Sequence, residues 1–210
     1  MPAPSDDIDP SRFSRRSFLK GASVAAVTGS LPAASQPRPP KGSRGELLAK
    51  GDHAITLTVN GRPLPVTVEP RTTLLDALRD RADLTGTKRI CDRGACGGCT
   101  VLLDDQPVNS CMMLAMDAVD RPVRTIEGLA KDGKLHPVQE AFVACDALQC
   151  GFCTPGFVMA SVACVERRGT PDLATIQHDL AGNLCRCGTY GRIFDAVQQA
   201  ANAPRAGGGR

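Results

Sequence analysis

Eight of the ten cysteines stand in two groups of four, and no other feature of the chain constrains it so tightly. The first group is Cys91, Cys96, Cys99 and Cys111, spaced Cys-x4-Cys-x2-Cys-x11-Cys. The second is Cys150, Cys153, Cys185 and Cys187, spaced Cys-x2-Cys-x31-Cys-x-Cys. Four thiolates gathered in space are what a [2Fe–2S] or [4Fe–4S] cluster requires, and the opening Cys-x4-Cys-x2-Cys is the plant-type ferredoxin run. Two quartets therefore predict two clusters, and two clusters predict a path for electrons. Disulfides and zinc compete with this reading. The cysteine content is low for a disulfide scaffold. Zinc sites do use Cys-x2-Cys pairs, but seldom join a Cys-x4-Cys loop to a Cys-x-Cys pair. Cys145 and Cys164, outside both groups, read as small apolar side chains.

The rest of the composition excludes more than it suggests. With no Trp, one Tyr and six Phe in 210 residues, the core must come from aliphatic side chains and Ala. The formal charge of +3 is small, and no Lys/Arg block beyond the N-terminus suggests nucleic acid. No stretch approaches the ~18 apolar residues of a membrane span. A soluble protein of one or two domains is expected, with no nucleic-acid partner and no stable membrane anchor.

The N-terminus reads as an address. Ser14-Arg15-Arg16-Ser17-Phe18-Leu19-Lys20 precedes an apolar run from Gly21 to Leu31, then Ala33, Ala34 and Ser35. This is the order of a twin-arginine signal, and the apolar run is too short for an anchor. Residues 1–34 are expected to be a signal peptide, exported folded by the twin-arginine machinery to the periplasm. An oxidising compartment favours disulfides. Export after folding removes the conflict, because clusters can be inserted in the reducing cytosol first.

Residues 35–53 read as a linker, rich in Pro and Gly at its start. From Ala54 the pattern is that of strands: Ile55 to Val59, the turn Asn60-Gly61, then Val66 to Val68. Pro63 and Pro65 confine the second strand to an edge or to its start. Thr72 or Thr73 is placed to cap a helix with Leu74, Leu75 and Leu78 on its apolar face. The first quartet lies in a Gly-rich loop, where glycine permits the φ > 0 turns that wrapping a compact cluster demands. Thr100 to Leu103, the turn Asp104-Asp105-Gln106 and a strand from Val108 carrying Cys111 predict a hairpin that returns Cys111 to that loop. Beyond His136-Pro137 the period turns helical: Val138, Ala141, Phe142 and Cys145, then Phe157, Ala160, Ser161 and Cys164. Pro155 can open the second of these helices; further helices start near Pro171 and Arg192. The expected fold is α+β: an N-terminal β-grasp ferredoxin-like domain over 54–130, a small four-helix-bundle domain over 131–203, and a disordered tail over 204–210.

Taken together, Leu84-Thr85-Gly86-Thr87-Lys88, the Cys91-to-Cys99 loop, Thr125-Ile126-Glu127-Gly128-Leu129, the Gln149-to-Gly156 run and Gly182-to-Tyr190 resemble one family. It is the small iron–sulfur subunit of the xanthine oxidase/aldehyde oxidase molybdenum hydroxylases, and the periplasmic aldehyde oxidoreductase branch is the nearest likeness. The resemblance implies that both clusters are [2Fe–2S]. It places Cys150, Cys153, Cys185 and Cys187 on an inner cluster and Cys91, Cys96, Cys99 and Cys111 on an outer one. It implies a large partner subunit with a molybdenum–pterin cofactor, a medium partner subunit with FAD, and electrons passing from the first to the second during aldehyde oxidation. Gln149 and Cys187 match positions that lie against the pterin in relatives. Ile90 departs from the family, which often has Gly there; a branched residue does not take φ > 0 cheaply.

No acid–base pair, activated nucleophile or phosphate-binding Gly loop is apparent, so hydroxylation is expected from the assembly and not from this chain. The bland alternative for Gln149 is a capping or turn amide, and Arg186 is equally a donor to cluster sulfur or a partner, or a surface ion pair. His53, His136 and His178 do not cluster and read as exposed polar residues. Two other functions fit the pattern: a free-standing double-cluster ferredoxin, and the iron–sulfur subunit of an N-heterocycle (isoquinoline-type) oxidoreductase delivering electrons to a cytochrome.

Overall fold

Asn60 and Gly61 both adopt positive φ, 51° and 75°, the conformation a two-residue hairpin turn requires. Around them, in the computed structural model, which describes residues 49–203, β1 (His53–Val59) pairs antiparallel with β2 (Arg62–Val68). The signal-like segment 1–34, most of the linker and the tail 204–210 lie outside the described residues. His53, placed in the linker by composition, is the first residue of β1.

Leu57, Val59, Val66 and Val68 are buried while their neighbours are exposed, the alternation of a sheet covered on one side. Thr73 caps the helix that follows: its hydroxyl accepts from Asp76 N at 3.1 Å. That helix, α1 (Leu74–Asp76), passes at once into a π-helical turn, Ala77–Arg81, and buries Leu74, Leu75, Ala77 and Leu78. β3 (Thr100–Leu103) and β4 (Gln106–Asn109) form the second hairpin. Its turn residues Asp104 and Asp105 have φ of 49° and 59°. Cys111 is not on the strand as expected but in the single 3₁₀ turn Ser110–Met112 just after it. β5 (Pro122–Arg124) lies between β1, to which it runs parallel, and β3, to which it runs antiparallel. The sheet order is β2-β1-β5-β3-β4. With α1 against one face this is a β-grasp arrangement, and β2, carrying both prolines, is an edge strand as Pro63 and Pro65 demand.

Four helices follow: α2 (Pro137–Ala144), α3 (Thr154–Arg168), α4 (Leu173–Asp179) and α5 (Tyr190–Asn202). His136 caps α2, its Nδ1 accepting from Val138 N, while Gln139 reaches back to the His136 N–H. Asp172 caps α4 by accepting from Thr175 N at 2.8 Å. Phe157, Ala160, Ser161 and Cys164 all lie buried on α3, as their spacing predicted. Cys145 is the C-cap of α2, partly exposed, and donates to Gln199 Oε1.

Within residues 49–203 the two halves belong to one compact unit. All four residues of β3 are buried, with Val101 and Leu103 in the sheet core and Leu102 in the core of the helices. Arg124 pairs with Glu166 at 2.8 Å, and Arg167 donates to Gln106, across the same boundary. No helix among the described residues is long and apolar enough to cross a membrane.

Candidate metal centres

The first quartet is built from an irregular loop closed by the second hairpin. Thr100 pairs with Asn109 in the ladder, so the residues flanking them, Cys99 and Ser110, are brought side by side. Ser110 fixes the closure twice, its N–H (3.3 Å) and hydroxyl (2.7 Å) both donating to the Cys99 carbonyl. The loop turns on positive φ at Asp92, Gly94 and Gly97. These turns aim N–H groups at sulfur: Gly94 N–H donates to Cys111 Sγ at 3.2 Å, and those of Arg93, Ala95 and Cys96 serve Cys91. The thiols meet in pairs, Cys91 with Cys96 and Cys99 with Cys111. The Arg93 N–H is foremost in bringing the Cys91 thiol down to about 7, whereas burial pushes Cys111 up to about 11. Ile90 does not take positive φ; its side chain lies over Gly98, where a Cβ would come within 2.3 Å of Ile90 Cδ1.

The second quartet sits where two helices begin. Cys153 is the residue before α3, and Cys187 lies three residues before α5. Helix N-termini carry partial positive charge, which favours anionic sulfur. Again the thiols pair, Cys150 with Cys187 and Cys153 with Cys185. Burial holds the Cys153 thiol up at about 12. It also works against Cys185, but the Thr189 hydroxyl and N–H, the Cys153 thiol and the Cys187 N–H together outweigh it and bring that thiol to about 7. The single tyrosine anchors the loop: Cys185 N–H donates to the Tyr190 hydroxyl at 2.8 Å. Its ring meets Phe157 edge-on, centroids 6.0 Å apart. Cys99, Cys111 and Cys185 are buried, while Cys150 and Cys187 are exposed.

The two loops touch. Leu184 N–H donates to the Cys96 carbonyl at 2.9 Å, and the buried Asn183 amide donates to the Gly97 carbonyl at 2.9 Å. A Cβ on Gly156, in the first turn of α3, would lie 2.2 Å from Gly97 O. Glycine there is what lets the second quartet's helix rest on the first quartet's loop.

Among the described residues, no three or more His, Cys, Asp or Glu side chains are gathered as they would be around a single metal ion. A tetrahedral zinc site would need four donors on one ion. Four thiols interacting within each quartet are the donor set that an iron–sulfur cluster takes. Gln149 and Cys187 are both exposed and share an open cleft of about 550 Å³ with Asp146, Leu148, Gly188, Thr189, Gly191 and Arg192. Arg186 is exposed and forms no ion pair among the described residues. The histidines stay apart: His136 is a half-buried cap, its pKa lowered chiefly by burial, His178 is exposed, and His53 binds the Ala49 carbonyl. Asn183, Thr189, Tyr190 and Gly156 were not singled out as site residues by sequence reasoning. Nothing in their spacing marks a residue that acts through a partner 83 positions away, as Asn183 does.

Residues 57–130 match the family model described as a 2Fe-2S iron–sulfur cluster binding domain, and residues 125–198 match that of a [2Fe-2S] binding domain. The 6-hydroxypseudooxynicotine dehydrogenase complex subunit beta of Paenarthrobacter nicotinovorans is 46% identical over 147 residues, covering 70% of this chain and 92% of that protein. The aldehyde oxidoreductase iron–sulfur-binding subunit of Escherichia coli O157:H7 is 42% identical over 162 residues, 70% of this chain and 71% of that protein. The chain belongs to the iron–sulfur subunits of the xanthine oxidase family. The fold agrees: a chain of quinoline 2-oxidoreductase from Pseudomonas putida 86 matches with a TM-score of 0.69 and 41% identity, covering 71% of this chain and 93% of that one. These relatives are subunits of oxidoreductase complexes, and this chain's part is electron transfer through two [2Fe–2S] clusters.

Proposed function

We propose that the chain is the electron relay of an exported molybdenum hydroxylase. Cys91, Cys96, Cys99 and Cys111 hold an outer [2Fe–2S] cluster, and Cys150, Cys153, Cys185 and Cys187 an inner one. Each cluster, when bound, supplies storage for a single electron. The chain's own residues orient the thiolates, direct N–H groups at sulfur and fix the two loops against each other. Gln149 and Cys187, exposed at one cleft, face the molybdenum–pterin cofactor of a large partner subunit. An FAD partner subunit receives the electrons, aldehydes are the reductant, and the twin-arginine segment directs the protein to the periplasm.

The observation that carries this reading is the contact between the quartets. The Leu184 N–H to Cys96 carbonyl bond joins a residue bearing one ligand to the neighbour of a ligand in the other group. EPR of the dithionite-reduced protein with iron quantitation tests it. Two distinct [2Fe–2S] signals and about four irons per chain are expected; a [4Fe–4S] signal, or iron-free protein with bridged sulfurs, would overturn it. Export is tested separately by fractionating cells that carry Arg15→Lys, Arg16→Lys, which should retain the protein in the cytoplasm. A second reading of the substrate has its own support. Relatives of comparable identity are named for nicotine and caffeine, so an N-heterocycle could replace the aldehyde without any change in this chain's role. Assay of the assembled complex on both substrate classes separates the two.

A further inference from the structure

The Gly97 carbonyl is held from outside its own half of the molecule. It accepts three donors: Thr100 N at 3.1 Å, Thr100 Oγ1 at 2.7 Å and Asn183 Nδ2 at 2.9 Å. Asn183 is 6% exposed and stands on the second quartet's loop, two residues before Cys185. Its amide also reaches Thr100 Oγ1 at 3.4 Å. The fit is close, since a Cβ on Gly97 would lie 2.5 Å from Asn183 Nδ2 and 2.6 Å from Gly182 O.

A trans peptide is planar, so its carbonyl and the following N–H point in opposite directions. Anchoring the Gly97 carbonyl on the helical half therefore fixes the tilt of the 97–98 peptide and the direction of the Gly98 N–H. That peptide lies between two ligands of the first quartet, Cys96 and Cys99, in a loop whose other N–H groups already serve sulfur. Hydrogen bonds to cluster sulfur are a main determinant of reduction potential. We propose that Asn183 is a positioning residue for the outer cluster: a side chain from the inner cluster's loop that sets the donor field, and so the potential, of the outer centre. The proposal rests on the ligand assignment above. It means that the step between the two centres is tuned by the interface between the halves and not by either loop alone.

Asn183→Leu removes the donor while keeping the number and branching of side-chain heavy atoms, and Thr100→Val removes another donor from the same carbonyl, from the opposite half. Both are compared with the unmodified protein, cluster-loaded and in its assembled complex, by EPR-monitored redox titration. Signals are assigned by their loss in Cys91→Ser and Cys150→Ser. Both variants should make the outer cluster about tenfold harder to reduce, a fall of ~59 mV for one electron, and shift its g-values. Iron content and the inner signal should hold. A purely structural role would lower stability and iron occupancy but leave the outer potential of loaded protein unmoved, which overturns the proposal. So does a shift confined to the inner signal. If Asn183→Leu fails to load iron, the smaller Asn183→Ala decides. Absence of two assignable signals in the unmodified protein would instead remove the ligand assignment, and the proposal with it.

Discussion

Tyr190 is the chain's one tyrosine, and it ties a cluster loop to a helix core. Its hydroxyl takes the N–H of buried Cys185 while its ring packs on Phe157 and Phe194. Tyr190→Phe keeps the packing but strands a buried N–H, so a loss of about 1–2 kcal/mol is expected in urea unfolding. Asp179 offers a pH test. Its side chain is only 4% exposed, and the Arg168 guanidinium, against burial, holds its carboxyl down at about 2. A folded-state pKa below the unfolded one stabilises at pH above the unfolded value, near 4, and that contribution is lost as pH falls through 2. The unmodified protein should therefore exceed Asp179→Asn by about 1–2 kcal/mol at pH 7, with the gap closing between pH 4 and pH 2. Denaturant melts of both proteins across that range check the sign.

Among the elements, α3 (Thr154–Arg168) carries the greatest constraint. It begins just after Cys153, buries nine consecutive residues from Gly156 to Cys164, and lies against both the sheet and the first quartet's loop. Gly156→Ala should raise helix propensity by about 1 kcal/mol. The new methyl would, however, meet Gly97 O at 2.2 Å, and backbone cannot swing aside as a flexible side chain can. Overpacking of this kind costs about 1–3 kcal/mol, so the clash should win and thermal unfolding should move to lower temperature. At α3's exposed flank, Arg124–Glu166 contributes little by comparison, since both side chains are at least a third exposed.

For the whole molecule, the strand β3 (Thr100–Leu103) decides whether the halves can part. Val101 and Leu103 belong to the sheet core, and Leu102, fully buried, belongs to the helices. Removing the helices would expose Leu102 and leave β3 wet on one face. Residues 49–130 expressed alone should therefore bind a hydrophobic dye and melt without a sharp transition. The intact protein should unfold once, with far-UV circular dichroism and the visible absorption of its clusters changing together. Two separated transitions would show the halves to be independent.

The sequence by itself determined which atoms could form the centres and much of the local fold. Asn60-Gly61, the prolines of β2 and the helical period after His136 are local signals, and the quartets are legible because cysteine is scarce enough to be counted across the gaps of 11 and 31 residues. The sequence placed Cys111 on a strand where a 3₁₀ turn stands, because a two-residue difference at a strand end leaves no mark in hydropathy. Tertiary structure alone decided how the halves meet. The Thr100-Val101-Leu102-Leu103 run marks a strand but not that both its faces are covered. Asn183 looks like any loop amide until folding brings it to Gly97. Such pairings are fixed by side-chain shape and by hydrogen bonds between distant segments, and neither property has a period along the chain.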